Sequence, residues 1–153
     1  MSTKNQISIV IPQNIIEEVT NKLQECRTAL APYLQALKAE ERITMLKLGD
    51  KTVATVQKTK SYIETNPEFV PSYLNKQEFL KDEAVASQLS PIENLATQLS
   101  SDISDTVMLA GSEALYAALL YYGQIKEANH KGIPTAKPIY EDLSQRFAKR
   151  KSK

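Results

Sequence analysis

Residues 108–126, MLAGSEALYAALLYYGQIK, decide how the rest of the chain is read. From Ala114 to Tyr122 the residues are apolar without a break, and Glu113 and Gln124 bound the run. A bilayer span needs about 20 apolar residues, so length argues against a membrane helix. No titratable cluster accompanies the run, so nothing marks it as a pocket. Val107, Ala110, Ala114, Ala117, Tyr121 and Ala128 recur at helical spacing. A helix apolar nearly all round is buried on several sides. The stretch therefore predicts a central helix of a bundle, with Tyr116, Leu119 and Leu120 inside. Ala110, Ala114 and Ala118 would admit a close neighbour. Tyr116, Tyr121 and Tyr122 would add bulk and send their hydroxyls to water or an acceptor.

Upstream, Asn75 and Glu78 form a capping box that opens a helix. Its stripe is Phe79, Val85 or Ala86, Leu89, Ile92, Ala96, Leu99 and Ile103. Ser90-Pro91-Ile92-Glu93 reads as a second capping box, which predicts a kink or restart at Pro91. Run together from Asn75 to Lys131, these segments would make one helix roughly 84 Å long. A compact domain needs a turn, either at Met108–Ser112, where Gly111 can adopt a left-handed conformation, or at Ser100–Asp105 around Ser104. Downstream, Gly132, Ile133 and Pro134 end the helix. A short closing helix follows, with Ile139, Leu143 and Phe147 on one face.

The first helix is marked by Ile16, Val19, Leu23, Cys26, Leu30, Tyr33 and Leu37, spaced alternately three and four apart, an apolar seam of heptad period. Pro32 lies within it and predicts a kink. One further turn is expected at Ala39–Arg42. Asp50 is the expected cap of the next helix, whose stripe is Val53, Val56 and Ile63. Asn66-Pro67 closes that helix, and an extended crossover with Pro71 leads onward. The fold class is all-α: an antiparallel bundle of four main helices, kinked at Pro32 and Pro91, plus a short C-terminal helix. It is expected as a single domain over 1–153, with an arm at 1–12 and a basic tail at 149–153.

The chemistry census is thin. Glu127 and His130 have the E-x-x-H spacing of di-iron bundles, but such sites need two motifs and more carboxylates; the chain has a single His. Cys26 sits on the apolar seam and reads as a core thiol. The GDKT at 49–52 lacks the earlier Gly of a phosphate loop. No nucleophile set or zinc site can be assembled. No catalytic residue, metal or cofactor is expected, and the chain is not expected to be an enzyme.

Charge is segregated by sign. Residues 1–63 carry 9 basic and 6 acidic groups, residues 64–113 carry 2 and 9, and residues 114–153 carry 8 and 3. The total is only +1, so the whole-molecule field favours no polyanion. An acidic middle between basic ends can steer helix packing or drive self-association. Arg146, Lys149, Arg150, Lys151 and Lys153 are the candidate contacts for an anion or a partner. The expected partner is another copy or another protein, with nucleic acid or an anionic membrane surface as the alternative through that tail. A small molecule or metal inside the bundle is a second alternative. One Cys and no secretory apolar region in the first residues suggest a cytoplasmic location.

GDKTVATVQKT (49–59), NPEFVPSYL (66–74), DTVMLAGSEALYAALLYYGQIK (105–126) and GIPTAKPIYEDLSQRF (132–147) resemble a group of uncharacterised bacterial all-helical proteins. The resemblance implies a free-standing helical protein and carries over no functional residue.

Overall fold

The structure is a computed structural model and describes residues 5–148. It is all-α; among the described residues there is no strand. The chain divides into two units, one of residues up to Ile9 with those from Gln98 onward, the other of Val10–Thr97.

In the Val10–Thr97 unit, helix α1 runs Gln13–Leu30 and starts on the Pro12 carbonyl, which accepts from the Ile15 and Ile16 N–H groups. It does not kink at Pro32 and continue. It ends at Leu30, tightens into a 3-10 turn at Ala31–Tyr33 and becomes extended at Leu34. The proline has no N–H to give, and its ring crowds the preceding turn; with only Tyr33 and Leu37 beyond it, the seam has too little to hold the helix. A short helix α2, Ala39–Thr44, stands where one turn was expected, and the Glu41 carboxylate accepts from the Lys38 N–H at 2.7 Å.

Helix α3 runs Asp50–Thr65. Its cap is Gly49, not the Asp50 side chain: the Gly49 N–H donates to Thr52 Oγ1 at 2.7 Å. Asp50 instead places its charge in the first turn, where the helix dipole favours an anion. Val53, Val56 and Ile63 are half-buried, as are Phe79 and Leu80. Lys60 pairs with Glu83 at 2.5 Å, and Lys76 Nζ donates to the Ile63 carbonyl at 3.3 Å. The Glu83 side chain is 8% exposed. The hydrogen bond that Lys60 donates to Glu83, first, and the Glu83 charge hold the Lys60 ammonium above its ordinary pKa against the opposing effect of burial.

Helix α4 runs Lys76–His130, 55 residues without interruption. Asn75 caps it, Oδ1 accepting from the Gln77 and Glu78 N–H groups at 3.1 and 3.2 Å, while Glu78, the expected reciprocal partner of the capping box, accepts from Lys81 at 2.7 Å instead. The expected turn near Ser104 or Gly111 is absent. Gly132 is the single described residue with positive φ, so Gly111 is an ordinary helical residue. Pro91 lies inside the helix. Ser90 does not cap a restart; its Oγ donates back to the Ala86 carbonyl at 2.7 Å. The Met, Leu, Ala and Glu residues around Gly111 are strong helix formers. One Gly costs only about 1 kcal/mol against that ladder, less than giving up a full turn of hydrogen bonds. A Cβ added at Gly111 meets nothing within 4 Å. Gly111→Ala should therefore stabilise the protein by about 0.5–1 kcal/mol, measured by thermal unfolding; destabilisation would mean that the chain does turn there.

Helix α4 ends as its sequence implies. Gly132 has φ +77°. Its N–H donates to the Asn129 carbonyl at 3.0 Å, and the Ile133 N–H donates to the Ala128 carbonyl at 3.1 Å, the paired bonds of a Schellman stop. Helix α5, Ala136–Ala148, follows and sets Tyr140 and Phe147 against Tyr122 of α4. The Tyr122 ring stacks on Tyr140 with centroids 6.0 Å apart and meets Phe147 at 4.8 Å.

Candidate functional site

One described residue, Ala136, is buried, at 3% exposure. The apolar faces expected to form a core are open instead. On α1, Ile16, Val19 and Leu23 are 44%, 40% and 49% exposed. Cys26, expected in the core, is exposed as well. On α4, Tyr116, Leu119 and Leu120 are 38%, 47% and 56% exposed, which overturns the interior assignment of this stretch. Leu115 and Tyr122 on the same helix are half-buried. With no turn at Gly111, α4 does not fold back on itself, and α5 meets it through Tyr140 and Phe147 against Tyr122.

The extended lead-in contributes one tie. The Gln6 N–H donates to Glu113 Oε1 at 2.7 Å. By length and composition α4 contains a stretch apolar enough to cross a membrane, longer than the unbroken run from Ala114 to Tyr122. Glu113 lies on the same helix, and an acidic side chain at mid-bilayer costs several kcal/mol.

A second apolar feature lies within Val10–Thr97. The end of α3 and the segment after it enclose a groove of about 460 Å³, lined by Tyr62, Ile63, Phe69, Val70 and Leu74 among others. Phe69 at its mouth is 79% exposed. It is open, lined mainly by apolar side chains, and holds no charged group.

The residues weighed for chemistry do not converge. Glu127 pairs with Lys131 at 2.7 Å. His130 stands in the last turn of α4. Among the described residues no three of His, Cys, Asp and Glu gather to hold a metal ion. Arg146 has a local partner in Asp142, with Nε 3.1 Å from both carboxylate oxygens; that hydrogen bond, then the Asp142 charge, raises its pKa further. Lys149, Arg150, Lys151 and Lys153 lie outside the described residues.

Tyr122 is the phenol whose titration the fold perturbs most clearly. Burial first, then the neighbouring Tyr140, push its pKa above the ordinary 10.0. A spectroscopic alkaline titration should show a late phenolate component that disappears in Tyr122→Phe. Because the raised pKa favours the neutral phenol in the folded state, this contribution to the α4–α5 contact is complete below about pH 10 and fades as pH rises through the folded value. A late component that survives in Tyr122→Phe would contradict the packing.

Sequence reasoning missed that the conspicuous apolar faces are surfaces. No family model, curated protein or solved structure matches the chain.

Proposed function

We propose that this is a non-catalytic, self-associating helical protein whose open apolar faces are its working surfaces. The observation that carries the reading is the exposure of Leu119, Leu120 and Tyr121 on α4 and of Ile16, Val19 and Leu23 on α1, between 40% and 56% in a single chain. Scattered exposed Leu or Ile residues are ordinary, but contiguous apolar stripes on a helix mark interaction sites. The bundle that the sequence implies is then completed between copies rather than within one.

Magnitudes divide the labour between the two kinds of contact. Burying a Leu or Ile side chain fully contributes about 1.5–3 kcal/mol. An exposed ion pair contributes about 0.2–1 kcal/mol. Apolar area therefore supplies the affinity, and the segregated charge chooses partner and orientation.

Native mass spectrometry of the purified protein tests the reading. The expected species is a multiple of 17.1 kDa carrying no additional mass. A 17.1 kDa monomer at all concentrations would refute self-association. A constant extra mass on the monomer would favour a bound small molecule instead.

A further inference from the structure

We propose that α1 of one copy docks antiparallel onto residues 92–106 of α4 in a second copy, and reciprocally, to form a two-fold dimer. This rests on the self-association reading and specifies the surface that achieves it.

The two stripes match in register. Along α1, Val19, Leu23, Cys26 and Leu30 are spaced four, three and four. Read backward along α4, Ile103, Leu99, Ala96 and Ile92 have the same spacing. An antiparallel pairing sets Val19 against Ile103, Leu23 against Leu99, Cys26 against Ala96 and Leu30 against Ile92, each layer meeting an apolar partner. Leu23, Ile92, Leu99 and Ile103 are 49%, 46%, 40% and 47% exposed, and Leu30 is half-buried. A second copy is the occupant, because the charges that flank one stripe complement those that flank the other.

The two stripes also match in charge. No Lys or Arg occurs between Asp82 and Ile125, whereas that stretch holds Asp82, Glu83, Glu93, Asp102, Asp105 and Glu113. Glu83 is taken by Lys60 and Glu113 by the Gln6 N–H. Glu93 and Asp102 flank the 92–103 stripe, one on each side. On α1 the residues flanking the seam are Lys22 and Arg27. In the antiparallel register Lys22 lies beside Asp102 and Arg27 beside Glu93. Lys22 has a local partner in Glu18 at 2.5 Å, with both side chains more than half exposed, an arrangement too solvated to hold it. Two α1 helices paired in parallel would instead bring Lys22 against Arg27 of the other copy, so charge disfavours α1 pairing with itself.

Cys26 is the chain's single cysteine, which makes the test specific. Ala96→Cys places a thiol opposite Cys26. Under a mild oxidant the variant should form a covalent dimer on a non-reducing gel, which Cys26→Ser in the same variant should abolish. The unaltered protein should form no such dimer. Lys22→Glu with Arg27→Glu should weaken association by roughly tenfold, and adding Glu93→Lys with Asp102→Lys should restore it. A disulfide within one chain would identify its own α1 as the occupant and overturn the proposal. Equal cross-linking of the unaltered protein would point to α1 self-pairing and also overturn it. Oligomers by mass, with no disulfide from Cys26 to the introduced thiol, would sink this surface while leaving self-association standing; a monomer would sink both.

Discussion

Replacing Leu23 and Leu99 together with Asp is expected to weaken the assembly by roughly a thousandfold while leaving the helices intact. Each leucine has nearly half its surface still to bury, 49% and 40% being exposed. Half of a full burial is about 1 kcal/mol, so two residues on each of two copies amount to about 4 kcal/mol, or roughly three decades in Kd. Carboxylates facing an apolar partner add a desolvation penalty in the same direction. Within one chain both positions face outward, so far-ultraviolet circular dichroism should barely change. Sedimentation equilibrium reads the result. Loss of helicity at any concentration would show instead that these leucines already hold the single chain together.

Pro91→Ala is the second large effect, and it runs in the stabilising direction. Pro91 lies inside α4, so the Ser87 carbonyl lacks its usual donor and the ring presses on the preceding turn. A proline in a helix interior costs about 3 kcal/mol relative to Ala. Removing it should raise Tm by roughly 6–12 °C for a domain of this length. Had Ser90 capped a new helix with Pro91 at its first position, the exchange would cost stability or leave it unchanged. The sign of the Tm shift therefore separates a continuous α4 from a broken one.

The ends of elements are legible in the sequence because they depend on a few neighbouring atoms. Asn75 caps α4, Gly132 stops it with its left-handed backbone, and α3 gives out at Asn66 ahead of Pro67. The middle of α4 is not legible. Ser90-Pro91 and Gly111-Ser112 carry local signals of a turn, but dozens of consecutive hydrogen bonds among good helix formers outweigh them. Burial is illegible for a different reason. A heptad seam such as Ile16 to Leu30 looks the same whether its cover comes from the same chain or another. The expectation that Tyr116, Leu119 and Leu120 lie inside assumes that one chain covers its own apolar surface. Periodicity picks out the apolar faces, but not what they contact. The same assumption places Cys26 in a core, where the structure leaves it on an exposed seam.

Charge behaves differently from apolar pattern. Sign segregation along the chain is plain, but near neighbours such as Glu127 and Lys131 or Asp142 and Arg146 pair within their own segments. Among the described residues, the ion pair that joins separate elements, Lys60 with Glu83, depends on α3 lying against α4 and has no local signature.

The molar mass of the intact protein by light scattering, followed across concentration, tests most directly whether these faces are meant for other copies. The expected result is a mass above 17.1 kDa that falls toward that value on dilution, and earlier in Leu23→Asp/Leu99→Asp. A mass of 17.1 kDa at every concentration, the same in the variant, would contradict it.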